Sequence, residues 1–542
     1  MKIDSIVNRL FVWRLCFPLT ALCAYLVWSE PLSEIPHILL FIFASGAVLG
    51  VYDRLQTKHA ILKNYPVIGH FRFWFETIRP EIRQYFIETD TEEIPFSRNQ
   101  RALVYQRSKG QSDQRPFGTL DNVYKPAYEW FIYSNKPTKK AVAENLRSKV
   151  GGKSCQQPYD ISIFNISAMS FGALSANAIM ALNRGAKLGN FAHDTGEGSI
   201  SPYHRKFGGD LIWEIGSGYF GCRTQDGHFD LDSFSKQAND PQVKMIEIKL
   251  SQGAKPGHGG ILPAAKVTSE IALTRNVPMG QDCISPSHHS AFNTPEELMQ
   301  FIASLRSASN GKPIGFKLCI AKPKDWFAMV KAMLTTQITP DFIVVDGSEG
   351  GTGAAPVEFI DHVGMPMRDG LSLVHATLIG AHLREQIRIG AAGKIISAFD
   401  IVRTCAMGAD WCNSARGFMF AIGCLQSRTC NTDRCPTGVA TQNQERQMAL
   451  NPFDKGDRVH HFQANTLNAV SELLSAAGLT HTSEVTPDLI MRRNTNGIAE
   501  SLDAFLFSLE PGALLGPNPE KELSHYSKHF ANEWLAADPQ NW

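Results

Sequence analysis

The eleven cysteines of this 542-residue chain include no C-x-x-C pair and no paired framework. That excludes a disulfide-stapled secreted scaffold and the knuckle of a structural zinc site. A charge bias is missing too: 53 Lys and Arg stand against 52 Asp and Glu, and no basic run is long. A nucleic-acid partner is not expected from such a balance. Glycine is what the chain has in quantity, 43 residues gathered in loops between short apolar runs. Glycine lets backbone come close to a ligand, so the pattern suits a barrel enzyme with many loop–ligand approaches.

Three cysteines do cluster. Cys424, Cys430 and Cys435 fall within a dozen residues, and Pro436 follows the last. Thiolates are soft ligands for iron–sulfur clusters, zinc and copper(I). A Cys-Pro ending recurs in iron–sulfur loops, because the fixed proline φ turns the chain away from the cluster. Three ligands suggest a 3Fe-4S cluster, or a 4Fe-4S cluster with one outside ligand. The other cysteines are scattered, which fits a reducing compartment.

From residue 160 onward, short β-branched runs alternate with helical stretches. Strands are expected at 161–168, 190–194, 245–250, 280–284, 314–320, 342–346, 386–390 and 410–415. Eight such repeats predict an α/β fold, a (β/α)8 TIM barrel. The long glycine-rich stretch 195–244 is expected to hold an inserted hairpin around 211–220. Chemistry in such barrels sits at the C-terminal strand ends, with phosphate often bound after strands seven and eight. Gly393-Lys394 follow the expected seventh strand and Arg416-Gly417 the eighth, while Gly350-Gly351-Thr352-Gly353 follow the sixth. Glycine loops of this kind offer backbone N–H groups to an anion. Lys317 lies mid-strand among apolar neighbours. Its ammonium is expected to point into the barrel mouth, because burial elsewhere costs on the order of several kcal/mol.

Two apolar runs, 11–28 and 37–52, flank an acidic link at 29–36. A membrane-spanning helix needs about 20 residues, which both reach with their flanks. Lys2, Arg9 and Arg14 stand at the start of the first run, and Arg54, Lys58 and Lys63 follow the second. The positive-inside rule places both flanks in the cytoplasm. Two rivals are a cleaved signal peptide, which would leave the second run unexplained, and a buried hairpin packed on the soluble domain. The expectation is a two-helix membrane anchor over 1–55, with the catalytic domain on the cytoplasmic face of a bacterial inner membrane. Residues 56–159 then wrap the barrel, 160–442 form the barrel and its cysteine loop, and 443–542 form a helical extension. A helix over 460–476 is expected to be capped by Gly478.

The stretch from Cys424 to Gln442 resembles the cluster loop of the glutamate synthase large subunit. Met169-Ser170-Phe171-Gly172-Ala173, Thr195-Gly196-Glu197-Gly198, Gln252-Gly253-Ala254-Lys255-Pro256-Gly257 and Gly350-Gly351-Thr352-Gly353-Ala354 resemble other blocks of that family, in one order. The likeness is greatest to its short members, built mainly of the FMN domain. The resemblance implies FMN on the three glycine loops and on Met169, Ser170, Gly172 and Ala173. Lys249 and Gln252 would stand beside it, and Lys317 near the N1–C2=O edge of the flavin. It implies catalytic roles for Glu197 and Lys255 at a site for 2-oxoglutarate or a related 2-oxo acid, which needs fixed cations and amide donors. Two positions depart from the family: His258 stands for a glutamate, and Ser290 of His288-His289-Ser290 for an aspartate. Each mouth loop thereby loses one acidic group.

The implied activity is reduction of an imine formed from the 2-oxo acid and ammonia or an amine. Electrons would enter at the cluster and leave as a hydride from FMN. The family's glutamine-hydrolysing half needs an N-terminal nucleophile, usually cysteine, whereas this chain opens Met1-Lys2. Nitrogen is therefore expected from free ammonia or a partner amidotransferase, and electrons from a protein such as ferredoxin. Two rival readings stand beside this one. The first is an amino-acid or N-substituted-glutamate dehydrogenase feeding a membrane carrier. The second is a non-catalytic electron-relay subunit of a membrane complex.

Overall fold

The computed structural model describes residues 9–92 and 95–542, so Met1, Lys2 and Glu93 lie outside the described residues. The chain divides into two compact units, 1–92 and 93–542.

The larger unit is a closed barrel of eight parallel strands. They are Phe164–Ile166, His193–Asp194, Leu211–Ile215, Val243–Lys249, Ile314–Leu318, Phe342–Asp346, Arg388–Ala392 and Trp411–Ser414. Each pairs with the next in sequence, and the eighth closes on the first with Asn413 opposite Asn165. Helices follow the strands, and several begin on a side-chain cap. Ser175, Asp230, Thr294 and Ser397 each accept a backbone N–H from the first turn of their helix, which satisfies donors the helix cannot pair itself.

The expected count of eight is right, but two assignments exchange. Leu211–Ile215, expected in a hairpin, is the third barrel strand, and all five of its residues are buried. Cys283–Ile284, expected within the fourth strand, instead pairs antiparallel with Ile261–Leu262 outside the barrel. Glu214 disguised the real strand by interrupting its apolar run. The structure tolerates that glutamate because its partner, Lys317, faces it from inside the barrel.

The C-terminal extension belongs to this unit. Helix Pro452–Ala477 runs along helix Ala176–Gly189, and a Cβ at Gly185 would collide with Val459. Gly478 ends the long helix in the left-handed region at φ 83°, as expected. Ile490–Arg493 pairs with Glu129–Phe131 on one side and Ala499–Ser501 on the other. Segments preceding and following the barrel are thus joined in one sheet.

The smaller unit holds two long apolar helices, Phe11–Ser29 and Glu34–Leu55, each long and apolar enough to cross a membrane. Their seam is made of small residues. A Cβ at Gly46 would lie 3.0 Å from Cys16 Sγ, and one at Gly50 would enter the Trp13 indole. Trp13 Nε1 donates to the Ala47 carbonyl at 3.1 Å. Small residues permit this close approach, while Phe41, Val48 and Leu55 remain exposed.

Candidate active site

Side chains on alternate strand residues share one face, so Glu247 and Lys249 both turn into the barrel toward Glu214 and Lys317. Carboxylate oxygens of Asp194, Glu214 and Glu247 all lie within 4.8 Å of one another. The Lys317 ammonium sits against Glu214 and 3.2 Å from Glu247 Oε1. One buried cation does not neutralise three buried carboxylates, so the surplus must be carried as bound protons. Burial, reinforced by the Asp194 and Asp346 charges, pushes the Glu247 carboxyl well above its usual range. Burial also raises Asp194, against the pull of Lys317. Lys317 thus points into the barrel as expected, but it arrives already paired. Glu214 and Glu247 had escaped the sequence reading; a glutamate within an apolar strand was their only signal.

At the rim, Glu197 meets Lys249 at 2.9 Å. Burial alone would raise the Glu197 carboxyl, but Lys249, Lys255 and Arg275 outweigh it and hold the group at about 2. Two glycines make room for this side chain. A Cβ at Gly216 would lie 2.8 Å from Glu197 Oε2, and one at Gly260 would strike Oε1. Lys255 is buried, and burial lowers its hold on a proton. Arg275, which no motif marked, donates to the Phe171 carbonyl at 3.0 Å and lies 3.4 Å from Ser170 Oγ. It ties the Met169–Ala173 loop to the Glu197 loop, where a Cβ at Gly196 would lie 2.7 Å from Ser170 N.

His289 stands immediately before Ser290, the second departure from the family pattern. Burial pushes it down to about 4, so the ring is neutral near pH 7. Its Nε2 is 2.8 Å from the Lys249 carbonyl, which can only accept, so Nε2 carries the proton. Nδ1 then accepts from the Tyr219 hydroxyl at 3.1 Å. His258, at the first departure, packs its ring on Phe359.

The glycine loops meet at the same mouth. Gly253 N donates to Asp346 Oδ2 at 2.9 Å, and a Cβ at Gly253 would collide with the Gly347 carbonyl. This seats the Gln252–Lys255 loop on the end of the sixth strand. Arg416 lies 4.6 Å over the Phe96 ring and donates to the Glu349 carbonyl at 2.8 Å. Burial pulls its guanidinium down to about 10 against Asp346 and Glu349. A Cβ at Gly351 would come 3.0 Å from Arg416, and one at Gly393 would come 3.0 Å from Glu349 Oε1. Gly417 leaves space for Ser414 Oγ, which donates to the Ile395 carbonyl at 2.7 Å. Lys394 adopts φ 50° at the turn after the seventh strand. Gly350, Gly351, Thr352, Gly353, Gly393, Lys394, Arg416 and Gly417 therefore line one run of loops above strands six to eight.

The cysteine loop abuts both regions. A Cβ on Gly353 would lie 3.9 Å from Cys430 Cβ. Gln442 Nε2 donates to the Gly172 and Leu174 carbonyls at 3.0 and 2.9 Å, and Ser175 Oγ donates to the Gly438 carbonyl at 2.7 Å. Cys424 is pushed up to about 12 by burial, with Cys430 and Cys435 adding to it. Cys435 behaves differently. Burial would raise it, but backbone N–H groups of Ala440, Thr437 and Val439 and the Thr437 hydroxyl bring it below its ordinary value. Such a ring of donors is how a protein favours a thiolate. Lys266, also unforeseen, is buried beside Cys430 and Cys435. It donates to the Ala440 carbonyl at 3.2 Å and the Ala173 carbonyl at 3.4 Å. Three thiols, a donor ring and a buried cation suit an anionic metal–sulfur group.

Fold and site together define a (β/α)8 barrel enzyme with a charged mouth and a cysteine loop clamped to its first strand–helix loop. A family model described as a conserved region in glutamate synthase matches residues 120–480. The chain belongs to the glutamate synthase family of oxidoreductases. A glutamate synthase large subunit-like protein of Bacillus subtilis is 35% identical over 523 residues, covering 89% of this chain and 98% of that one. An archaeal glutamate synthase (NADPH) of Methanocaldococcus jannaschii is 36% identical over 315 residues, 58% of each chain. The glutamate synthase (NADPH) large chain of Bacillus subtilis is 31% identical over 389 residues, 70% of this chain but 23% of that one. A solved mandelate oxidase is only distantly alike, at 14% identity and a TM-score of 0.39 over 69% of this chain and 88% of that one.

Proposed function

We propose that this protein is an FMN- and iron–sulfur-dependent oxidoreductase that reduces the imine formed from 2-oxoglutarate, or a related 2-oxo acid, with ammonia or an amine. The observation that carries the reading is the charge at the rim. Lys249, Lys255 and Arg275 surround the single carboxylate of Glu197. These fixed cations gather positive charge at the rim, which favours a substrate carrying carboxylates.

The loops fit a flavin phosphate. Gly351 and Gly393 leave the space a Cβ would fill beside Arg416 and Glu349, and Arg416 supplies a cation there. FMN held by these loops and by Met169–Ala173 supplies hydride transfer. A cluster on Cys424, Cys430 and Cys435 supplies one-electron transfer, with the Lys266 ammonium offsetting thiolate charge. The remaining roles belong to the chain. Lys249 and Lys255 bind the substrate carboxylates. Glu197 stays ionised at working pH and accepts hydrogen bonds from the substrate nitrogen, which orients it. Lys255, its proton loosened by burial, is the rim's proton donor. His289 donates to the Lys249 carbonyl and fixes that residue's backbone.

The two apolar helices support anchoring in the cytoplasmic membrane, with the barrel on the cytoplasmic side. They also favour a second reading, in which an amino acid or N-substituted glutamate is dehydrogenated and electrons pass to a membrane carrier. The test is a purified, anaerobic, cluster-loaded protein supplied with reduced ferredoxin or dithionite, 2-oxoglutarate and ammonium. Glutamate production supports the reductive reading; flavin bleaching by glutamate supports the reverse. Silence in both, with flavin and iron bound, leaves the relay-subunit reading and defeats the proposal.

A further inference from the structure

One segment of the smaller unit has no part in the site. Helix Gly69–Ile82 continues into the π-helical turn Arg83–Ile87. On a helix, Phe71, Trp74, Phe75, Ile78 and Ile82 fall on a single face. Phe71, Trp74 and Phe75 are 58%, 54% and 54% exposed, and Phe86 in the turn is 85% exposed. Arg72, Arg79 and Arg83 run along one border of this face. An apolar face this open, bordered by arginines, is unusual on a surface meant for water alone.

The position of the helix is set by the apolar hairpin. Asp53, fully buried near the end of the second long helix, accepts from Val67 N at 2.9 Å and meets His70 Nε2 at 2.9 Å. Arg54 Nη1 donates to the Lys63 carbonyl at 3.0 Å, and Arg9 Nη1, before the first long helix, donates to Asn64 Oδ1 at 3.2 Å. The aromatic helix therefore starts at the end of the hairpin where both chain flanks emerge. Charge there is mostly positive: residues 54–87 hold six Lys and Arg against two Asp and Glu, with Arg72 paired to Glu76 and Arg83 to Glu92.

We infer that residues 69–87 form a second membrane contact, an amphipathic helix lying in the headgroup layer of an anionic lipid surface beside the hairpin. The inference rests on the reading of the hairpin as membrane-spanning. Aromatic rings sit at the boundary between headgroup and acyl chain, and bordering arginines reach back to lipid phosphates. The His70–Asp53 contact holds the start of the helix, and the bonds to Lys63 and Asn64 hold the turn before it, at the level where the second span ends, which is that boundary.

The test uses the full-length protein in lipid nanodiscs containing phosphatidylglycerol and a brominated phosphatidylcholine, with tryptophan emission as the readout. Trp13 and Trp28 report the hairpin, and Trp74 reports the aromatic helix. In a Trp13→Phe/Trp28→Phe variant, bromolipid quenching should persist, and adding Trp74→Phe should abolish that remaining loss of signal. Replacing phosphatidylglycerol with a neutral lipid, or introducing Arg72→Glu and Arg79→Glu, should weaken the Trp74 component. Quenching confined to Trp13 and Trp28 leaves the hairpin reading standing and overturns this one. In that case the face is covered by protein, and a second copy of the chain would show as a dimer in the disc. Absence of quenching at all three tryptophans overturns both readings.

Discussion

Replacing Lys317 with methionine tests the charge balance inside the barrel. Methionine keeps an apolar stem and removes the ammonium that meets Glu214 and Glu247. Those carboxylates are 2% and 0% exposed, and neighbouring Asp194 is 1% exposed. Breaking a buried pair by removing one partner costs about 3–5 kcal/mol, because the other charge remains without water or counterion. Unfolding entropy is about 2 cal/mol/K per residue, so the barrel unit's roughly 450 residues translate that into a Tm lowered by about 3–5 °C. The deficit should depend on pH. Glu247 is raised above its ordinary value of 4.5, and Asp194 above 3.8. A raised carboxyl favours the fold below its unfolded pKa, and that contribution is lost as pH rises through the folded pKa. Without Lys317 the carboxyls rise further, so the variant should approach wild type in acid and fall behind it as pH increases. Thermal unfolding of the detergent-solubilised chain at about pH 5 and about pH 8 reads this window. A Lys317→Met/Glu214→Gln double variant should recover part of the deficit, since it removes an anion along with the cation. A deficit equal at both pH values, or none at all, would refute the reasoning.

Three further outcomes are expected. Glu197→Gln should lower kcat/KM for the 2-oxo acid by about a hundredfold. Glu197 itself should add no limb to the wild-type pH profile near neutrality, because the group is held at about 2 and its stabilising contribution is lost only as pH falls from 4.5 toward that value. Cys435→Ser should release iron while flavin stays bound, and metal analysis alongside flavin absorbance reads both; full iron retention would sink the cluster assignment. Gly253→Ala forces a Cβ into the Gly347 carbonyl, so it should destabilise by about 1–3 kcal/mol, and the displaced Lys255 loop should raise the KM for the 2-oxo acid.

Much of the site was legible because it lies on short motifs with a local cause. Glycine loops after strands six, seven and eight, and the three cysteines before Pro436, are visible as composition at fixed spacing. The structure brings Glu197, Lys249 and Lys255 to one rim. Arg275 and Lys266 were missed because each acts on a loop distant in sequence. Arg275 reaches Phe171 and Lys266 reaches Ala440, and nothing local to either residue announces the partner.

Local pattern alone determined the class of fold, the number of barrel strands, the apolar hairpin and the glycine loops at the strand ends. Periodicity and glycine placement are short-range properties, and a chain cannot hide them. Only the closed barrel decided which glycine-flanked run was the third strand. A glutamate inside an apolar stretch reads as a break until Lys317, 103 residues away, is seen to meet it. Closure likewise put three carboxylates around one ammonium and three cations around Glu197. Charge in a buried space is stable only as a balanced set, and the members of that set come from different strands.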